Sequence, residues 1–237
     1  MDSYKFTTRA AILHVAQENE KYKIKLSRTV FHPQGGGQPS DTGFIKQGSA
    51  LFQVDSAEHD RSDENIWHLG QFQSEIQFSL SEEVDVEVDG VKRLLNARLH
   101  SAGHLLDIAM DMLGYQLKPG KGYHFPSGAY VEYIGNLTNE EKDAAIPRIN
   151  EICAQLINNT AEEVSVGLYE YDEAQKHIEV PAYMPEGKPM RIVKLTQGDK
   201  GCPCGGTHVK HVRDIAGLEV YRIQKKGKNT RVSYKVI

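Results

Sequence analysis

Four potential metal ligands stand in two pairs, and the members of each pair are four residues apart: His100 with His104, and Cys204 with His208. In a helix, this spacing places both imidazoles of the first pair on one face, one turn apart. The two glycines inside the second pair allow a tight turn that could bring its thiolate and imidazole together. Sulfur and nitrogen ligands favour zinc over magnesium or calcium. The sequence therefore predicts one Zn2+ ion bound by both pairs.

Some alternatives remain open for these residues. Two helix histidines four residues apart are, by themselves, better explained by one exposed and one hydrogen-bonded histidine. Only the second pair makes a joint site the better interpretation. Cys202, two residues before Cys204, could replace a ligand, support one, or simply be buried. A metallopeptidase would need a glutamate between the two histidines as general base. Ser101, Ala102 and Gly103 stand there instead, so this class of enzyme is disfavoured.

The first pair of ligands lies in the strongest helical pattern of the chain. Apolar residues recur at helical spacing over 91–113, with Asp89 as a suitable N-cap before them and Gly114 as a suitable C-cap after them. A second helix is predicted over 138–159, because its first residues, Thr-Asn-Glu-Glu, form a capping box. Pro147 lies inside this second pattern and predicts a kink.

The rest of the chain carries β patterns. Residues 4–88 alternate apolar and polar positions in short runs separated by turns, which predicts a small barrel or sandwich. From residue 89 the pattern becomes mixed, so we place a domain boundary there, with domains over 1–88 and 89–237. A short helix is predicted after Asp172. The later strands are predicted at Ala129–Ile134, Glu163–Tyr169, Met190–Lys194, Leu218–Lys225 and Thr230–Val236.

Composition narrows the class of protein. The hydrophobic share of 39% and the charged share of 25% are those of an ordinary globular protein. No run is long and apolar enough to span a bilayer, and the first residues show no secretory signal, so we expect a cytoplasmic protein with no membrane partner. Three cysteines are too few for a disulfide scaffold. Cys153, inside the second helical pattern, is expected to be a small buried hydrophobe.

The net charge of −4 gives no support to nucleic-acid binding by itself, so an RNA partner would need a local basic patch. One candidate is Lys118 with Lys121, which we place with Tyr123 in a Gly/Pro-rich loop that could touch tRNA phosphates. A second candidate lies near the C-terminal end of the sequence and consists of Lys225, Lys226, Lys228 and Arg231. Both clusters are explained equally well as solvated surface.

Three segments together resemble one protein family: the glycine-rich Thr29–Gly43, the helical Arg98–Leu106, and Cys204–Val209, which reads Cys-Gly-Gly-Thr-His-Val. In this order, and over nearly the whole chain, they are similar to the AlaX family, the free-standing relatives of the alanyl-tRNA synthetase editing domain. The length resembles the medium-sized class. The resemblance implies an α+β fold, with a small N-terminal β-barrel followed by the α+β domain that alanyl- and threonyl-tRNA synthetases share. It also implies four zinc ligands, His100, His104, Cys204 and His208.

The resemblance further implies a reaction. The family removes wrongly attached serine, and in some members glycine, from tRNA for alanine by cleaving the aminoacyl ester at the acceptor end. His100 and His104 would then serve catalysis as zinc ligands, and the hydroxyl of Ser101 could favour serine over alanine. Many relatives have threonine in place of Ser101, and a tyrosine is common in place of His32, so both positions bear on amino-acid preference.

The glycine-rich loop is expected to approach the catalytic pocket, where its backbone N–H groups could bind an anion or the end of the tRNA. A plain structural turn is the alternative. Asp199 and Lys200, just before the second ligand pair, could orient ligands or be exposed loop charges. The substrate contacts predicted from the loop are Gly35, Gly36, Gly37, Gln38, Ser40 and Asp41.

The leading interpretation is thus a zinc-dependent aminoacyl-tRNA deacylase. A non-catalytic zinc module that binds tRNA or a synthetase is the main alternative, and a hydrolase of unrelated small esters is another. All of them share the metal site, so the site alone does not choose among them. The general base is not identified by the sequence and could be a ribose hydroxyl of the substrate. Serine versus glycine preference and the oligomeric state also stay open.

Overall fold

The computed structural model describes residues 2–60, 62–63, 65–75, 77–80, 82–115, 117–159, 163–178, 180 and 187–237. The chain divides into two compact units, Met1–Asn96 and Ala97–Ile237. The first contains a closed β-barrel and the second combines helices with two sheets, so the predicted α+β fold with an N-terminal barrel is confirmed. No helix in the described ranges is long and apolar enough to cross a membrane.

Six antiparallel strands form the barrel of the first unit, in the order β1-β2-β5-β4-β3-β6, with β6 closing onto β1. Their side chains alternate between an apolar interior and a polar exterior, as in β6, where exposed and buried residues alternate without exception. Five of the six strands contribute buried hydrophobic residues to the interior, and the sixth, β5, packs the partly buried Ile66 and Phe72 against them. The strands are β1 Thr7–Glu18, β2 Lys21–Leu26, β3 Gly43–Gln47, β4 Ala50–His59, β5 Ile66–Phe72 and β6 Glu83–Val88.

The long helix α1, Gly90–Met112, begins and ends where the capping signals predict. The backbone N–H of Lys92 donates to the Asp89 carboxylate at 3.0 Å, which is the N-cap bond. At the other end, Gly114 has φ +75°, and the N–H of Tyr115 reaches back to the carbonyl of Met110 at 3.2 Å. Only glycine adopts this conformation without steric cost, so α1 ends in a Schellman motif.

The second unit begins inside α1 and, over its described residues, continues through seven further strands and two further α-helices. Its elements are β7 Lys118–Tyr123, β8 Ala129–Ile134, α2 Asn139–Asn159, β9 Ser165–Tyr169, α3 Tyr171–Ala174, β10 Met190–Lys194, β11 Cys202–Pro203, a 3-10 helix Val212–Ile215, β12 Leu218–Lys226 and β13 Asn229–Val236. One sheet has the order β12-β13-β8-β7, and a smaller sheet has the order β11-β10-β9.

The helix α2 packs one apolar stripe against the larger sheet. Thr138 and Glu141 exchange the two bonds of the predicted capping box. The side chain of Asn150 bonds both backbone groups of Val220 on β12, at 2.7 and 3.0 Å. The helix continues through Pro147, and its buried residues recur every four positions: Ala145, Ile149, Cys153 and Ile157. Cys153 is therefore a buried core residue, as predicted, and burial raises its pKa to about 12.

One local prediction was wrong. The segment with Lys118, Lys121 and Tyr123 is not a loop but the edge strand β7, paired with β8. The sequence did not predict this strand, because it contains proline and glycine and both are depleted from strands. An edge strand tolerates them since one of its sides needs no partner, and the register shifts between Pro119 and Gly122.

Candidate metal centre

The site is built on the middle of α1, where a buried face carries two of the predicted ligands. His100 is 2% exposed and His104 is partly buried. Their rings stack with centroids 5.2 Å apart and planes 21° from parallel, as expected for side chains one helical turn apart. Helix geometry alone therefore brings two imidazole ligands to one place.

The second pair of ligands is held by strand β10. The backbone N–H of Cys204 donates to the carbonyl of Arg191 at 3.0 Å, and the Arg191 guanidinium donates back to the Cys204 carbonyl at 2.6 Å. The N–H of Gly206 approaches the Cys204 sulfur at 3.4 Å. The backbone then turns so that His208, 3% exposed, directs its Nε2 to the same sulfur at 3.2 Å.

The two pairs converge. One ligand atom from each of His100, His104, Cys204 and His208 lies within 4.8 Å of all the others. Nε2 of His100 is 3.4 Å from the Cys204 sulfur. In a tetrahedral zinc site, with bonds of about 2.3 Å to sulfur and 2.0 Å to nitrogen, the ligand atoms are separated by roughly 3.5 Å. The two distances from the Cys204 sulfur, 3.4 Å to His100 and 3.2 Å to His208, are close to this value, so the four residues together fit the ligand set of one metal ion.

Ser101, the residue after the first ligand, supports the cluster. Its side chain is fully buried and accepts the N–H of Val209 at 3.1 Å. Its hydroxyl also lies 3.2 Å from Nδ1 of His208. A histidine that binds a metal through Nε2 carries its proton on Nδ1 and usually donates it to such an oxygen. Ser101 therefore orients His208.

Cys202 lies next to the cluster. Among the described residues, it is not one of the four whose ligand atoms converge. Its sulfur is 3.0 Å from Nδ1 of His104, and burial raises the pKa of its thiol. Asp199 holds the turn before it, because its carboxylate accepts the N–H groups of Leu195 and Gly201 at 2.9 and 2.8 Å. Lys200 is an exposed loop charge, as one of the two interpretations had it.

Burial sets the protonation of the ligands. It lowers the pKa of His104 to about 4, so this imidazole is neutral near pH 7 and keeps a lone pair for a metal. Burial also raises the pKa of the Cys204 thiol. A thiolate at that position needs a nearby positive charge, which a metal ion provides, so metal binding and deprotonation are coupled.

Sequence reasoning missed His124, a further histidine of the site. Its ring stacks on His100 with centroids 4.5 Å apart and planes 19° from parallel. The hydroxyl of Tyr234 donates to the carbonyl of Leu99 at 2.9 Å and lies 2.6 Å from Nδ1 of His124, which must then carry the proton. Burial lowers the pKa of His124 to about 3, so it stays neutral. A lone histidine between aromatic residues has no spacing signal.

Asp107 was also missed, although a helical wheel could have found it. It follows His100 by seven residues and His104 by three, so it lies on the same face of α1. Tyr133 donates its hydroxyl to the carboxylate at 2.6 Å. Loss of contact with water, with a smaller effect of the Asp199 charge, raises the pKa of Asp107 to about 7. The face of α1 that carries the candidate metal ligands thus also carries a carboxyl group whose pKa is raised by burial.

The glycine-rich segment lies in the first unit. Gly36 and Gly37, with φ +57° and +78°, occupy the two central positions of a tight turn. The N–H of Gly35 donates to the carbonyl of Gln38 at 3.2 Å, and the N–H of Gln38 returns the bond at 2.9 Å. The N–H of Gly35 is therefore used inside the turn and is not offered to a ligand.

Asp41 and Arg93 anchor the same segment. Asp41 accepts the N–H of His32 at 2.5 Å and is bound by the guanidinium of Arg93, with both side chains of the ion pair fully buried. Arg93 also donates to the carbonyls of Ser3 and Val30. Gln38 is buried as well, and Ser40 is partly buried. Contact between this segment and a substrate stays a prediction.

Comparison with known proteins adds an independent line of evidence. A family model described as tRNA synthetases class II (A) matches residues 4–92. The alanyl-tRNA editing protein AlaX-L of Pyrococcus horikoshii is 31% identical over 231 residues, which are 96% of this chain and 54% of the relative. AlaX-M of Methanosarcina barkeri is 27% identical, with 89% of this chain and 87% of the relative covered. The alanine–tRNA ligase of Methanobrevibacter smithii is 28% identical, with 91% and 24% covered.

The predicted resemblance to the AlaX editing proteins is therefore confirmed, and it extends over most of the chain. The chain spans about half the length of AlaX-L and about a quarter of the length of the ligase, whereas it spans most of AlaX-M.

Proposed function

We propose that this relative of the AlaX editing proteins is a zinc-dependent deacylase that removes wrongly attached serine from tRNA for alanine. One observation carries the proposal: the convergence of His100, His104, Cys204 and His208 in a chain similar to alanyl-tRNA editing proteins over most of its length. The partner is then a mischarged tRNA, bound through its acceptor end. Because charged tRNA is used in translation, we place the activity in the cytoplasm.

The choice of zinc follows from the donors. One thiolate and three imidazoles are typical ligands of zinc and differ from the oxygen ligands of magnesium and calcium sites. When bound, zinc would supply Lewis-acid chemistry for ester hydrolysis. Arg191 bonds the Cys204 backbone on both sides, and Ser101 orients His208, so contacts within the protein help to position two of the four ligands.

The reaction itself is a balanced ester hydrolysis. The oxygen of a water molecule forms a bond to the carbonyl carbon, and the bond from that carbon to the ribose oxygen breaks. The ribose oxygen takes up one proton, which releases the free amino acid and the intact tRNA. An aminoacyl ester is already labile, so positioning the ester supplies much of the required rate enhancement.

The preference for serine over glycine or alanine is the finer part of the proposal. It rests on the resemblance to the family and on the buried hydroxyl of Ser101 within the cluster. A site that hydrogen-bonds a substrate hydroxyl rejects the analogue without it, because its buried polar groups would be left unpaired. Ser101→Ala distinguishes a role in substrate selection from a role in orienting His208. If the variant keeps its full zinc content but no longer prefers serine, Ser101 selects the substrate. If the variant loses zinc, Ser101 only orients the ligand.

The central experiment measures release of the amino acid. Zinc-loaded protein is incubated in parallel with seryl-, glycyl- and alanyl-tRNA for alanine. We expect rapid loss of serine, intact alanine, and no reaction with Cys204→Ala. Cys153→Ala is the matched control, because Cys153 is a buried cysteine of α2 outside the cluster, and it should retain activity.

Two outcomes would contradict the proposal. Intact esters with the wild-type protein, together with tight tRNA binding, would favour the non-catalytic zinc module. Equal hydrolysis of all three esters would remove the assigned selectivity.

A further inference from the structure

A column of stacked side chains stands on the larger sheet of the second unit. The rings of Phe125 and Tyr123 stack with centroids 4.3 Å apart and planes 12° from parallel. Tyr123 stacks on Tyr130 at 5.2 Å and 16°. The guanidinium of Arg231 lies over the Tyr130 ring, 3.8 Å from its centroid. We call these four residues the aromatic column.

Strand pairing builds the column from sequence-distant segments. Tyr123 on β7 pairs with Tyr130 on β8, and Arg231 on β13 pairs with Glu132 of β8. Tyr130 and Glu132 alternate with buried neighbours, so they stand on the outer face of the sheet. All three aromatic side chains are partly exposed. A partly exposed ring stack is unusual as a hydrophobic core but is common where nucleobases bind.

The same pairing unites the two basic clusters of the sequence. Lys118 on β7 pairs with Ile134, which pairs with Asn229, which pairs with Lys226 on β12, so one row crosses the whole sheet. Glu132 accepts two bonds from Arg231, at 2.6 and 3.0 Å, and offsets one positive charge. Four other cations of these clusters are exposed: Lys118 and Lys226 in this row, Lys121 on β7, and Lys228 in the turn between β12 and β13. Lys225 is exposed as well, but it pairs with Thr230, opposite Tyr133, and so stands on the other face of the sheet.

The chain links the column to the candidate metal centre at the end of β7. His124 lies between Tyr123 and Phe125 in the chain, and its ring points to the opposite side of the sheet, where it stacks on His100. The column and the ligand cluster therefore stand on opposite sides of the backbone at this position. Because β7 is the edge strand of its sheet, a ligand whose reactive end lies at the cluster reaches the column by passing this edge.

We propose that the aromatic column binds the unpaired 3′ end of the tRNA, with a base stacking on Phe125 at the end of the column and the lysines contacting the phosphates. This inference rests on the proposed function, which supplies a single-stranded nucleic acid with its reacting ester at the terminal ribose. Stacking needs no particular base, because every base has a π-face, and it contributes about 1–3 kcal/mol per base. The phosphate contacts make binding salt-dependent.

The test measures binding of a fluorescein-labelled single-stranded RNA that ends in CCA, using anisotropy and the complete zinc-loaded protein. Phe125→Ala should raise the Kd about tenfold. Lys121→Ala should reduce the dependence of Kd on salt. Tyr221→Ala is the matched control, since Tyr221 is an exposed aromatic residue of β12 outside the column, and it should bind like the wild type. Zinc content and thermal midpoint are measured for every variant.

A second variant reports stacking directly. The chain has a single tryptophan, Trp67, in the barrel. Phe125→Trp in a Trp67→Phe background leaves one indole at the end of the column. Addition of the RNA should quench the fluorescence of this indole, a signal that a purely structural ring would not give. The Kd of this variant should equal that of the wild type, unlike the raised Kd of Phe125→Ala.

Three results would overturn the inference: no binding of the RNA by the wild type, equal Kd values for the wild type and Phe125→Ala, or no quenching of the introduced tryptophan. The failure of the proposed function is distinguishable from these, because it appears as intact seryl-tRNA in the hydrolysis assay. The RNA of the binding experiment carries no ester. Its binding therefore tests whether the aromatic column binds RNA, independently of ester hydrolysis.

Discussion

The two units bury their polar side chains in different arrangements. The first unit pairs them separately: Arg93 and Asp41 neutralise each other, and the ring of His68 donates to the carbonyl of Ile24 inside the barrel. The second unit groups buried imidazoles at one place, the candidate metal centre, among them His100, His124 and His208. A closed barrel pairs every strand on both sides, whereas the second unit has open sheets with edge strands such as β7.

This difference shows what holds each unit together. The barrel is stabilised by contacts that form within the chain itself. Around the cluster of the second unit, imidazoles and thiols replace aliphatic side chains, and their burial costs free energy unless they are bound. A metal ion that binds only the folded state stabilises that state and so offsets this cost. The second unit is therefore the one whose stability we expect to depend on a ligand.

Metal removal should have the largest effect. Structural zinc sites contribute roughly 10 kcal/mol of apparent binding free energy near neutral pH. With a chelator, we expect faster hydrogen–deuterium exchange in α1 after Asn96, in β10 and in the Cys204–His208 segment, while barrel peptides exchange as before. Cys204→Ala should reproduce this without the chelator. Equal loss of protection in both units would contradict the comparison.

The buried ion pair of the first unit should come next. Asp41→Asn leaves the guanidinium of Arg93 buried without a counter-charge, which costs about 3–5 kcal/mol. The control is Glu87→Gln, which breaks the exposed pair of Glu87 with Lys46 in the same unit and should cost less than about 1 kcal/mol. Urea unfolding of both variants measures the difference. Similar losses in the two variants would show that burial does not decide the effect.

Two glycines of α1, one in each unit, allow the same substitution to be compared between the units. A Cβ at Gly103 would lie 2.4 Å from Cε1 of His124, whereas a Cβ at Gly90 would meet the ring of Phe6 at 3.6 Å, an ordinary contact. Gly103→Ala should therefore destabilise the protein by about 1–3 kcal/mol through overpacking and lower its zinc affinity. Gly90→Ala should be neutral or stabilising, because alanine favours a helix. Thermal unfolding and zinc titration measure both, and unchanged zinc affinity in Gly103→Ala would argue against a role of His124.

The smallest effect concerns pH. The pKa of Asp107 is raised to about 7 by burial, above its ordinary value of 3.8, so the folded state binds this proton more tightly than the unfolded state. Its stabilising contribution is complete below pH 4 and is lost as the pH rises to 7. The shift corresponds to at most about 4 kcal/mol, and the partial exposure of the side chain reduces the expected effect to about 1 kcal/mol.

Asp107→Asn should therefore gain stability relative to the wild type between pH 4 and pH 8 in the metal-free protein. The amide oxygen still accepts the hydroxyl of Tyr133, so packing is preserved. Urea unfolding at the two pH values measures this. A difference between variant and wild type that does not change with pH would show that Asp107 is ionised throughout.

Local signals made much of this structure predictable. The caps of α1 and α2 satisfy backbone groups within a few residues of themselves, so Asp89, Gly114 and Thr138 indicated the helix ends correctly. The strand pattern of the barrel was readable because one face of each strand is buried. Edge strand β7 was missed because its proline and glycines carry no alternation.

The sequence by itself determined the two ligand pairs, because a spacing of four residues in a helix or around a glycine turn sets the distance between two side chains. Only the tertiary structure decided what surrounds them. His124, the Asp107–Tyr133 bond and the aromatic column arise from pairing and packing between segments far apart in the chain. Such contacts leave no periodic trace in the sequence, because each residue in them is placed by its own strand or helix and meets its partner only after folding.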